Sequence, residues 1–288
     1  MRGIIVKGVG GFYYIETESG LVECRARGLF RKTGTTPLVG DRVEVTDDGG
    51  GSWVLSEIYP RRNRLTRPGV ANIDKLIIVV SYGVDLLLLD KMIVGAQYRG
   101  IEPVLCVNKA DVRLDSVIPE AYAKIGYKVI ITSAATGDGI PELTEVLTGN
   151  ISAFCGNSGV GKSSLLNAVN PDYALQTGAV SKIGRGRHVT RHNEIFPLPG
   201  GGYVIDTPGF GSLESDEIEA LRLRDYFIEF AAYEGKCRFA DCNHIGEKGC
   251  AVAVAVQSGA VYGSRHKNYI TLFNEFRNAE FFSFESAV

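Results

Sequence analysis

The sequence predicts a multidomain α/β protein: a small N-terminal β-barrel, a central parallel sheet flanked by helices, and a small C-terminal helical module. Short alternating runs between turn residues predict the barrel, and apolar strands that alternate with helical patterns from residue 76 onward predict the parallel sheet. Three cysteines and a histidine gathered near the C-terminus predict a metal-stabilised module. The length of 288 residues fits about two domains of ordinary size, so a third, small domain would need stabilisation by a metal ion.

Composition places the chain among globular proteins. Hydrophobic residues make up 45% and charged residues 22%, which excludes a disordered or fibrous class. The longest apolar runs, LIIVV at 76–80 and AVAVAV at 251–256, are too short to span a bilayer, so we expect a cytoplasmic protein without a membrane partner. A net charge of -2 excludes a uniformly basic surface, so a nucleic-acid partner must meet local basic patches.

Residues 1–66 are predicted to form the barrel, of the OB type. The runs FYYIETESG, LVECRARG, DRVEVTDDGG and GSWVLSEIYP alternate in polarity between turn residues. A β-sandwich-like fragment without a binding role is the alternative. The basic side chains of this region either contact an RNA backbone or belong to a solvated face; they are Arg25, Arg27, Arg31 and Lys32, then Arg61, Arg62, Arg64 and Arg67.

Residues 67–214 are predicted to form the parallel α/β domain, and residues 215–288 the helical module. The strand-like segments LIIVVS, VLCV, KVII, ISAFC and YVI alternate with helical patterns, which is typical of a parallel sheet covered by helices. Beyond residue 215, DEIEALRLRDYFIEFAAY has a helical pattern, as does the last part of the chain.

The segment from Gly156 to Ser163, GNSGVGKS, fits the phosphate-binding pattern G-x-x-x-x-G-K-[ST]. It follows the strand ISAFC and precedes the helical SLLNAV, which is the context that the pattern requires. The glycines let consecutive backbone N–H groups surround phosphates at a helix N-terminus, Lys162 can reach the β- and γ-phosphates, and the Ser163 hydroxyl can bind Mg²⁺. We therefore predict a P-loop nucleotide-binding domain.

The tetrapeptide Asn108-Lys109-Ala110-Asp111 indicates that the nucleotide is GTP. The Asp111 carboxylate can accept hydrogen bonds from N1–H and the 2-amino group of guanine; adenine offers neither, so an unpaired carboxylate would reject ATP by roughly 10⁴-fold. Asn108 is predicted to tie this loop to the phosphate loop, and the Lys109 stem to cover the base. Thr132-Ser133-Ala134 is predicted to supply backbone N–H for the guanine O6. An ATP-driven P-loop enzyme is disfavoured for these reasons.

Asp206-Thr-Pro-Gly209 ends the strand YVI and fits the pattern D-x-x-G. Asp206 is expected to hold Mg²⁺ through water, and the Gly209 N–H to sense the γ-phosphate. In the preceding Gly- and Arg-rich loop, Thr190 is predicted to bind Mg²⁺ and the γ-phosphate. NKAD and TSA come before these motifs, so the order is circularly permuted, which leaves the site unchanged if each motif ends a strand of one sheet. We expect the nucleotide state to pass from DxxG into the C-terminal module.

Phe210 follows DxxG, where many GTPases have the glutamine that orients the attacking water. Intrinsic hydrolysis is therefore expected to be slow. His188 is the candidate substitute, Lys162 and Thr190 complete the predicted catalytic set, and His192 is a weaker candidate. The alternative for His188 is an exposed loop histidine that contacts a partner.

The cluster Cys237-x4-Cys242-x-His244-x5-Cys250 offers three thiolates and an imidazole, which suits a tetrahedral structural Zn²⁺. The remaining cysteines, Cys24, Cys106 and Cys155, stand alone in apolar stretches and are expected to be reduced core thiols. Arg265, His266 and Lys267 form either an RNA-facing patch or a solvated helix end.

The order NKAD, TSA, GNSGVGKSS, GRGRHVT, DTPGF and then C-x4-C-x-H-x5-C resembles the small-ribosomal-subunit-dependent GTPase family known as RsgA, YjeQ or YloQ. The resemblance covers nearly the whole chain, including RGLFRKTG, PLVGDRVEV and CAVAVAVQSGAVYGSRHKNY, and departs at Val189, where the family usually has threonine. It implies an OB barrel, a circularly permuted P-loop GTPase domain and a small α-helical zinc-binding domain. It also implies a role in late maturation of the small ribosomal subunit, and it favours His188 as the catalytic residue.

We therefore predict a monomeric GTP hydrolase with ribosome-stimulated turnover that uses GTP/GDP, Mg²⁺ and one structural Zn²⁺. Its expected partners are the small ribosomal subunit and its rRNA, with neither DNA nor membrane. An RNA-binding guanine-nucleotide switch with negligible hydrolysis is the alternative. The predicted GTP-binding residues are Asn108, Lys109, Asp111, Ser133, Ala134, Gly156, Asn157, Ser158, Gly159, Val160, Gly161, Lys162, Ser163, Ser164, Thr190, Asp206 and Gly209.

Overall fold

Five N-terminal strands close into a barrel, as the alternating runs predict. The computed structural model describes residues 1–26, 30, 34–65, 69–114, 117–171, 193–206 and 218–286. The barrel strands are β1 (Arg2–Val9), β2 (Phe12–Thr17), β3 (Gly20–Ala26), β4 (Arg42–Asp47) and β5 (Trp53–Ile58). They pair in the order β1-β2-β3-β5-β4, and β4 pairs again with β1 to close the barrel. The inward-facing apolar side chains, such as Ile5, Ile15, Val43 and Leu55, are fully buried because every second residue of a strand points inward.

Two arginines of the predicted basic groups form ion pairs within the protein. Arg61 pairs at 2.7 Å with Asp41, whose side chain is fully buried. Arg62 pairs at 2.7 Å with Asp74, which precedes the central sheet. The Arg25 guanidinium lies 4.5 Å above the centre of the Phe12 ring. Arg27, Arg31, Lys32 and Arg67 lie outside the described residues, so the RNA-facing interpretation of these groups stays a prediction.

A six-stranded sheet forms the centre of the protein. A small hairpin, β6 (Arg64–Leu65) with β7 (Val70–Ala71), leads into it. The next elements are β8 (Lys75–Val80), α1 (Leu86–Tyr98), β9 (Glu102–Val107), α2 (Val117–Ile125), β10 (Lys128–Ile131), α3 (Ile140–Leu147), β11 (Ile151–Cys155), α4 (Lys162–Val169), β12 (Asn193–Glu194), β13 (Phe196–Pro197) and β14 (Tyr203–Asp206).

The sheet order is β10-β9-β8-β11-β14-β13, and only β13 is antiparallel to its neighbour. The central strands are apolar and buried along nearly their whole length, because helices cover both faces of a parallel sheet. The prediction of a parallel α/β domain is confirmed. The predicted boundaries at residues 66/67 and 214/215 fall on residues outside the described ranges, and they stay predictions.

The C-terminal module begins with two short 3₁₀ helices, Ala220–Tyr226 and Ile228–Tyr233. Between them Phe227 leaves the helical conformation, and its fully buried ring stacks on Phe230 and meets Tyr269 edge to face. The predicted helix is therefore present as two 3₁₀ segments. The metal loop follows, and then α5 (Ala251–Gln257) and α6 (Gly263–Ser286). Within the described residues, no helix is both long and apolar enough to cross a bilayer.

Arg265 does not belong to an exposed basic patch. Its side chain is 1% exposed and pairs with Asp90 of α1 at 2.5 Å and with Glu229 at 2.8 Å. Asp90 also accepts hydrogen bonds from Tyr122 at 2.6 Å and from Asn268 at 2.7 Å. Burial of a guanidinium is tolerated because two carboxylates surround it. The arginine therefore locks α6 and the second 3₁₀ helix onto α1.

We expect Asp90→Ala to lower the free energy of unfolding by about 3–5 kcal/mol, because it leaves a buried guanidinium short of one partner. Urea denaturation followed by circular dichroism measures the change. Lys128→Ala is the matched control, since it breaks the exposed Lys128–Glu142 pair and should cost less than about 1 kcal/mol. Equal losses for the two variants would show that the buried cluster is not the stronger contact.

Candidate functional site

The sequence motifs meet at one edge of the central sheet. Asn108 follows β9, Thr132 follows β10, Gly156 follows β11, and Asp206 is the last residue of β14. The carboxyl ends of parallel strands lie at the same edge, which is where open α/β sheets bind ligands. The permuted chain order therefore still brings together the guanine motifs and the phosphate loop.

The phosphate loop wraps around the start of α4. The helix begins at Lys162, and its N-terminal backbone N–H groups make this end favourable for an anion. The Lys162 ammonium lies inside the loop, 2.8 Å from the carbonyl oxygen of Gly156 and 3.0 Å from that of Asn157. Lys109 donates to the carbonyl oxygen of Gly159 at 2.6 Å. Two ammonium groups are thus held beside the loop where phosphates are expected.

Asn108 joins the guanine motif to the phosphate loop, as predicted. Its amide nitrogen donates to the carbonyl oxygen of Val160 at 2.9 Å, and the side chain is buried. Its amide oxygen accepts from the Thr132 hydroxyl at 3.2 Å. Gly161 has a φ of 96°, and a Cβ there would lie 2.4 Å from the Asn108 amide nitrogen. Position 161 therefore requires glycine, both because of its positive φ and because a side chain would clash with Asn108.

Ser133 has a second role that sequence reasoning missed. Its hydroxyl donates to Asp111 Oδ1 at 2.6 Å and accepts from the Thr136 N–H at 3.2 Å, so it orients the Asp111 carboxylate. The Ser133 N–H donates to the carbonyl oxygen of Asp138 at 3.0 Å; among the described residues, the Ala134 N–H makes only a long 3.3 Å contact with the Asn108 amide oxygen. Of these two backbone N–H groups, that of Ala134 is therefore the more available to a ligand. The serine of the TSA motif was the feature of the sequence that could have indicated this hydrogen bond to Asp111.

The isolated cysteines are free, buried thiols, in line with the sequence prediction. Burial raises the pKa of Cys106 to about 12 and raises that of Cys155, which immediately precedes the phosphate loop, still further. Thiols with such pKa values carry little thiolate and react slowly. Neither cysteine is a candidate nucleophile.

Several positions of the predicted nucleotide site and switch region lie outside the described residues. They are His188, Thr190, His192, Gly209 and Phe210. Asp206 ends β14 at the edge where the phosphate loop lies. Ser163 and Ser164 occupy the first turn of α4. The roles of all these residues stay predictions.

The four predicted metal ligands converge. Their ligand atoms all lie within 4.8 Å of one another. His244 Nδ1 is 3.5, 3.6 and 3.4 Å from the sulfurs of Cys237, Cys242 and Cys250. Tetrahedral zinc, with Zn–S near 2.3 Å and Zn–N near 2.1 Å, requires a nitrogen–sulfur separation of about 3.6 Å. The donor set and its spacing fit a structural zinc ion.

Neighbouring groups hold these ligands in place. The N–H of Ala251 donates to the Cys237 sulfur at 3.2 Å, and that of Ala253 to the Cys250 sulfur at 3.4 Å. Burial lowers the pKa of His244, which favours the neutral imidazole that a metal requires. Burial opposes ionisation of Glu247, but backbone N–H groups, including that of Asn243, donate to its carboxylate and lower its pKa overall.

The metal loop is tied to α6. The ring of His266 places Nε2 2.7 Å from the carbonyl oxygen of His244, and the Tyr269 hydroxyl donates to the carbonyl oxygen of Asn243 at 2.6 Å. His266 thus holds the backbone of the metal loop at His244. Hydrogen bonds of this kind around a metal site fix the orientation of its ligands. Both interpretations of this segment, an RNA-facing patch and a solvated helix end, are wrong for the buried Arg265, and His266 contacts the metal loop.

Comparisons with known proteins agree with this arrangement. A family model described as "RsgA GTPase" matches residues 58–216, and one described as "RsgA N-terminal domain" matches residues 2–52. A relative from Caldanaerobacter subterraneus subsp. tengcongensis, named small ribosomal subunit biogenesis GTPase RsgA, is 48% identical over 97% of both chains. One of the same name from Moorella thermoacetica is 46% identical over 96% of this chain and 97% of its own.

Two solved structures share the whole fold. The crystal structure of YjeQ from Thermotoga maritima has a TM-score of 0.82 and 39% identity, and covers 96% of this chain and 98% of its own. The crystal structure of YloQ, described as a circularly permuted GTPase, has a TM-score of 0.81 and 35% identity, and covers 96% and 95%. The predicted fold class, with its barrel, permuted nucleotide-binding domain and Cys₃His module, is confirmed.

Proposed function

Because this chain belongs to the RsgA GTPase family, we propose that it hydrolyses GTP to GDP and phosphate while bound to the small ribosomal subunit, and so assists late maturation of that subunit. The relatives' names supply the ribosomal role. The barrel and the metal module are the proposed contacts with rRNA. Turnover is proposed to rise on the particle, since Phe210 stands where many GTPases have a water-orienting glutamine.

The hydrogen bond from Asn108 to Val160 is the observation that supports guanine-nucleotide chemistry most strongly. It connects the base-reading loop with the phosphate loop across 52 positions of sequence. A ligand that fills both loops therefore has a purine base at Asp111 and its phosphates at Lys162. Guanine satisfies the carboxylate of Asp111, which Ser133 holds in place, and adenine leaves it unpaired.

The proposed site residues keep their predicted roles. Lys162 stabilises charge on the β- and γ-phosphates, Ser163 and Thr190 are the proposed Mg²⁺ ligands, and His188 is the proposed residue that orients water. Mg²⁺, when bound, neutralises charge on the phosphates. The GTP-binding set is Asn108, Lys109, Asp111, Ser133, Ala134, Gly156, Asn157, Ser158, Gly159, Val160, Gly161, Lys162, Ser163, Ser164, Thr190, Asp206 and Gly209.

One structural Zn²⁺ is proposed at Cys237, Cys242, His244 and Cys250. With four protein ligands, it has no open position for a substrate, so it stabilises the fold and takes no part in hydrolysis. The protein is proposed to act as a monomer in the cytoplasm, on rRNA, with neither DNA nor a membrane as partner.

Steady-state GTP hydrolysis tests this function. We expect turnover by the purified protein to rise at least about tenfold with small ribosomal subunits and to stay unchanged with large subunits. Lys162→Ala is the control for contaminating GTPases, since it removes the phosphate-binding ammonium. Particle binding without any turnover would favour the alternative, a guanine-nucleotide switch. Absence of both would contradict the proposed function.

A further inference from the structure

The segment from Asn193 to Pro197 connects the two large sheets of the protein. β12 pairs antiparallel with β1 of the barrel, with Glu194 opposite Lys7 and Asn193 opposite Gly8. After a single intervening residue, Ile195, β13 pairs antiparallel with β14 of the nucleotide-binding sheet. Five consecutive residues therefore belong partly to the barrel and partly to the GTPase sheet.

β12 completes an edge of β1 that the barrel leaves partly open. β2 pairs along one side of β1 from Gly3 to Val9. On the other side, β4 pairs only with the residues from Arg2 to Ile4, and β12 takes Lys7 and Gly8. An open strand edge presents unpaired backbone groups. Pairing with β12 satisfies backbone groups of β1 that β4 leaves unpaired, which favours one register for β12.

Charge, backbone and apolar contacts all hold this segment. The Lys7 ammonium lies 2.9 and 3.0 Å from the two Glu194 carboxylate oxygens, and these side chains are 29% and 23% exposed. The N–H of Ile195 donates to the carbonyl oxygen of Val6 at 2.9 Å. The Ile195 side chain is 2% exposed and belongs to the same apolar core as Ile5. A shift of register would break all three contacts at once.

The position of β12 in the chain connects it to the chemistry. The proposed switch residue Thr190 precedes Asn193 by three positions, and the proposed catalytic His188 precedes it by five. Three residues of extended chain span at most about 11 Å. β12 therefore lies within a few residues along the chain of the positions to which the proposed function assigns hydrolysis.

We propose that β1 of the barrel is a positioning element for GTP hydrolysis, and that Lys7 and Glu194 are positioning residues that hold the chain in register as it leaves the switch loop. The inference rests on the proposed function, because it concerns the same hydrolysis site. Lys7 and Glu194 contact neither the guanine motif nor the phosphate loop among the described residues, so they act on turnover and leave nucleotide affinity unchanged.

Charge reversal of the pair tests the proposal in the full-length protein. Lys7→Glu and Glu194→Lys each place like charges opposite one another in the strand pair, and each should lower the single-turnover rate of GTP hydrolysis about fivefold. The double variant, Lys7→Glu with Glu194→Lys, restores the attraction and should return the rate to within about twofold of the original. The dissociation constant for GDP should change less than about twofold in all three.

Tyr203→Phe is the matched control. It removes the hydrogen bond from Tyr203 to Glu16, at 3.1 Å, which joins the same two sheets but lies outside β12, and it should leave the rate unchanged. Glu194→Gln keeps the size of the side chain and replaces Glu194→Lys if that variant fails to fold; a twofold to threefold loss is expected at about neutral pH.

Unchanged rates in folded charge-reversal variants would overturn the inference, as would a rate loss that the double variant does not restore. An equal loss in Tyr203→Phe would also overturn it, because any weakening of the interface would then suffice. Stimulation of the unaltered protein by small subunits is measured separately. Its absence would contradict the proposed function, and the comparison of basal rates would still stand.

Discussion

Replacing Cys250 with alanine is expected to release the metal and unfold the C-terminal module, at a cost of more than about 5 kcal/mol. The reason is geometric. Cys250 supplies one of four ligand atoms within 4.8 Å, and it also caps α5 by accepting the N–H of Ala253. Without the fourth ligand, the two remaining cysteines and the imidazole bind the metal too weakly to hold the loop folded.

Zinc content by a colorimetric thiolate-displacement assay and limited proteolysis of the module measure the effect. One zinc ion per chain is expected for the original protein and less than about one tenth for Cys250→Ala. Cys24→Ala is the matched control, because it removes a buried thiol of the barrel that belongs to no metal-ligand cluster among the described residues. It should retain zinc and keep the module resistant to protease. A zinc-free Cys250→Ala protein with a resistant module would contradict a structural role for the metal.

The second large effect is expected at the base-reading carboxylate. Asp111→Asn should weaken GTP and GDP binding by about 10³-fold, because the amide offers a donor where guanine also presents one. Xanthine has a carbonyl in place of the 2-amino group, so the same amide can accept from its N1–H and donate to that oxygen. Binding of xanthosine diphosphate should therefore improve as binding of GDP falls.

Competition against a fluorescent GDP analogue measures both affinities. Asp138→Asn is the matched control, since Asp138 lies in the neighbouring loop, is exposed, and accepts from the Thr136 hydroxyl. Its backbone carbonyl, which holds the Ser133 N–H, is unaffected by the substitution. Comparable losses in both variants, or no gain for the xanthine nucleotide, would contradict the proposed role of Asp111.

The sequence by itself determined the class of fold, and it predicted the guanine-nucleotide motifs and the Cys/His cluster that the fold brings together. The phosphate loop, NKAD, TSA and the Cys/His cluster are all short contiguous segments. Their chemistry needs particular residue types at fixed spacing, since backbone N–H groups and ligand atoms must converge locally. Periodicity predicted the strands in front of them, and the carboxyl ends of parallel strands then had to meet at one edge.

The tertiary structure alone decided which polar residues are buried and which parts of the chain are joined. Arg265 has the sequence context of an exposed basic helix end, yet its partner Asp90 is 175 positions away. Lys7 meets Glu194 across 187 positions. Such pairs leave no local periodicity or motif, because each residue type occurs equally well on a solvated surface. Their roles appear only once the folded chain brings the two charges together.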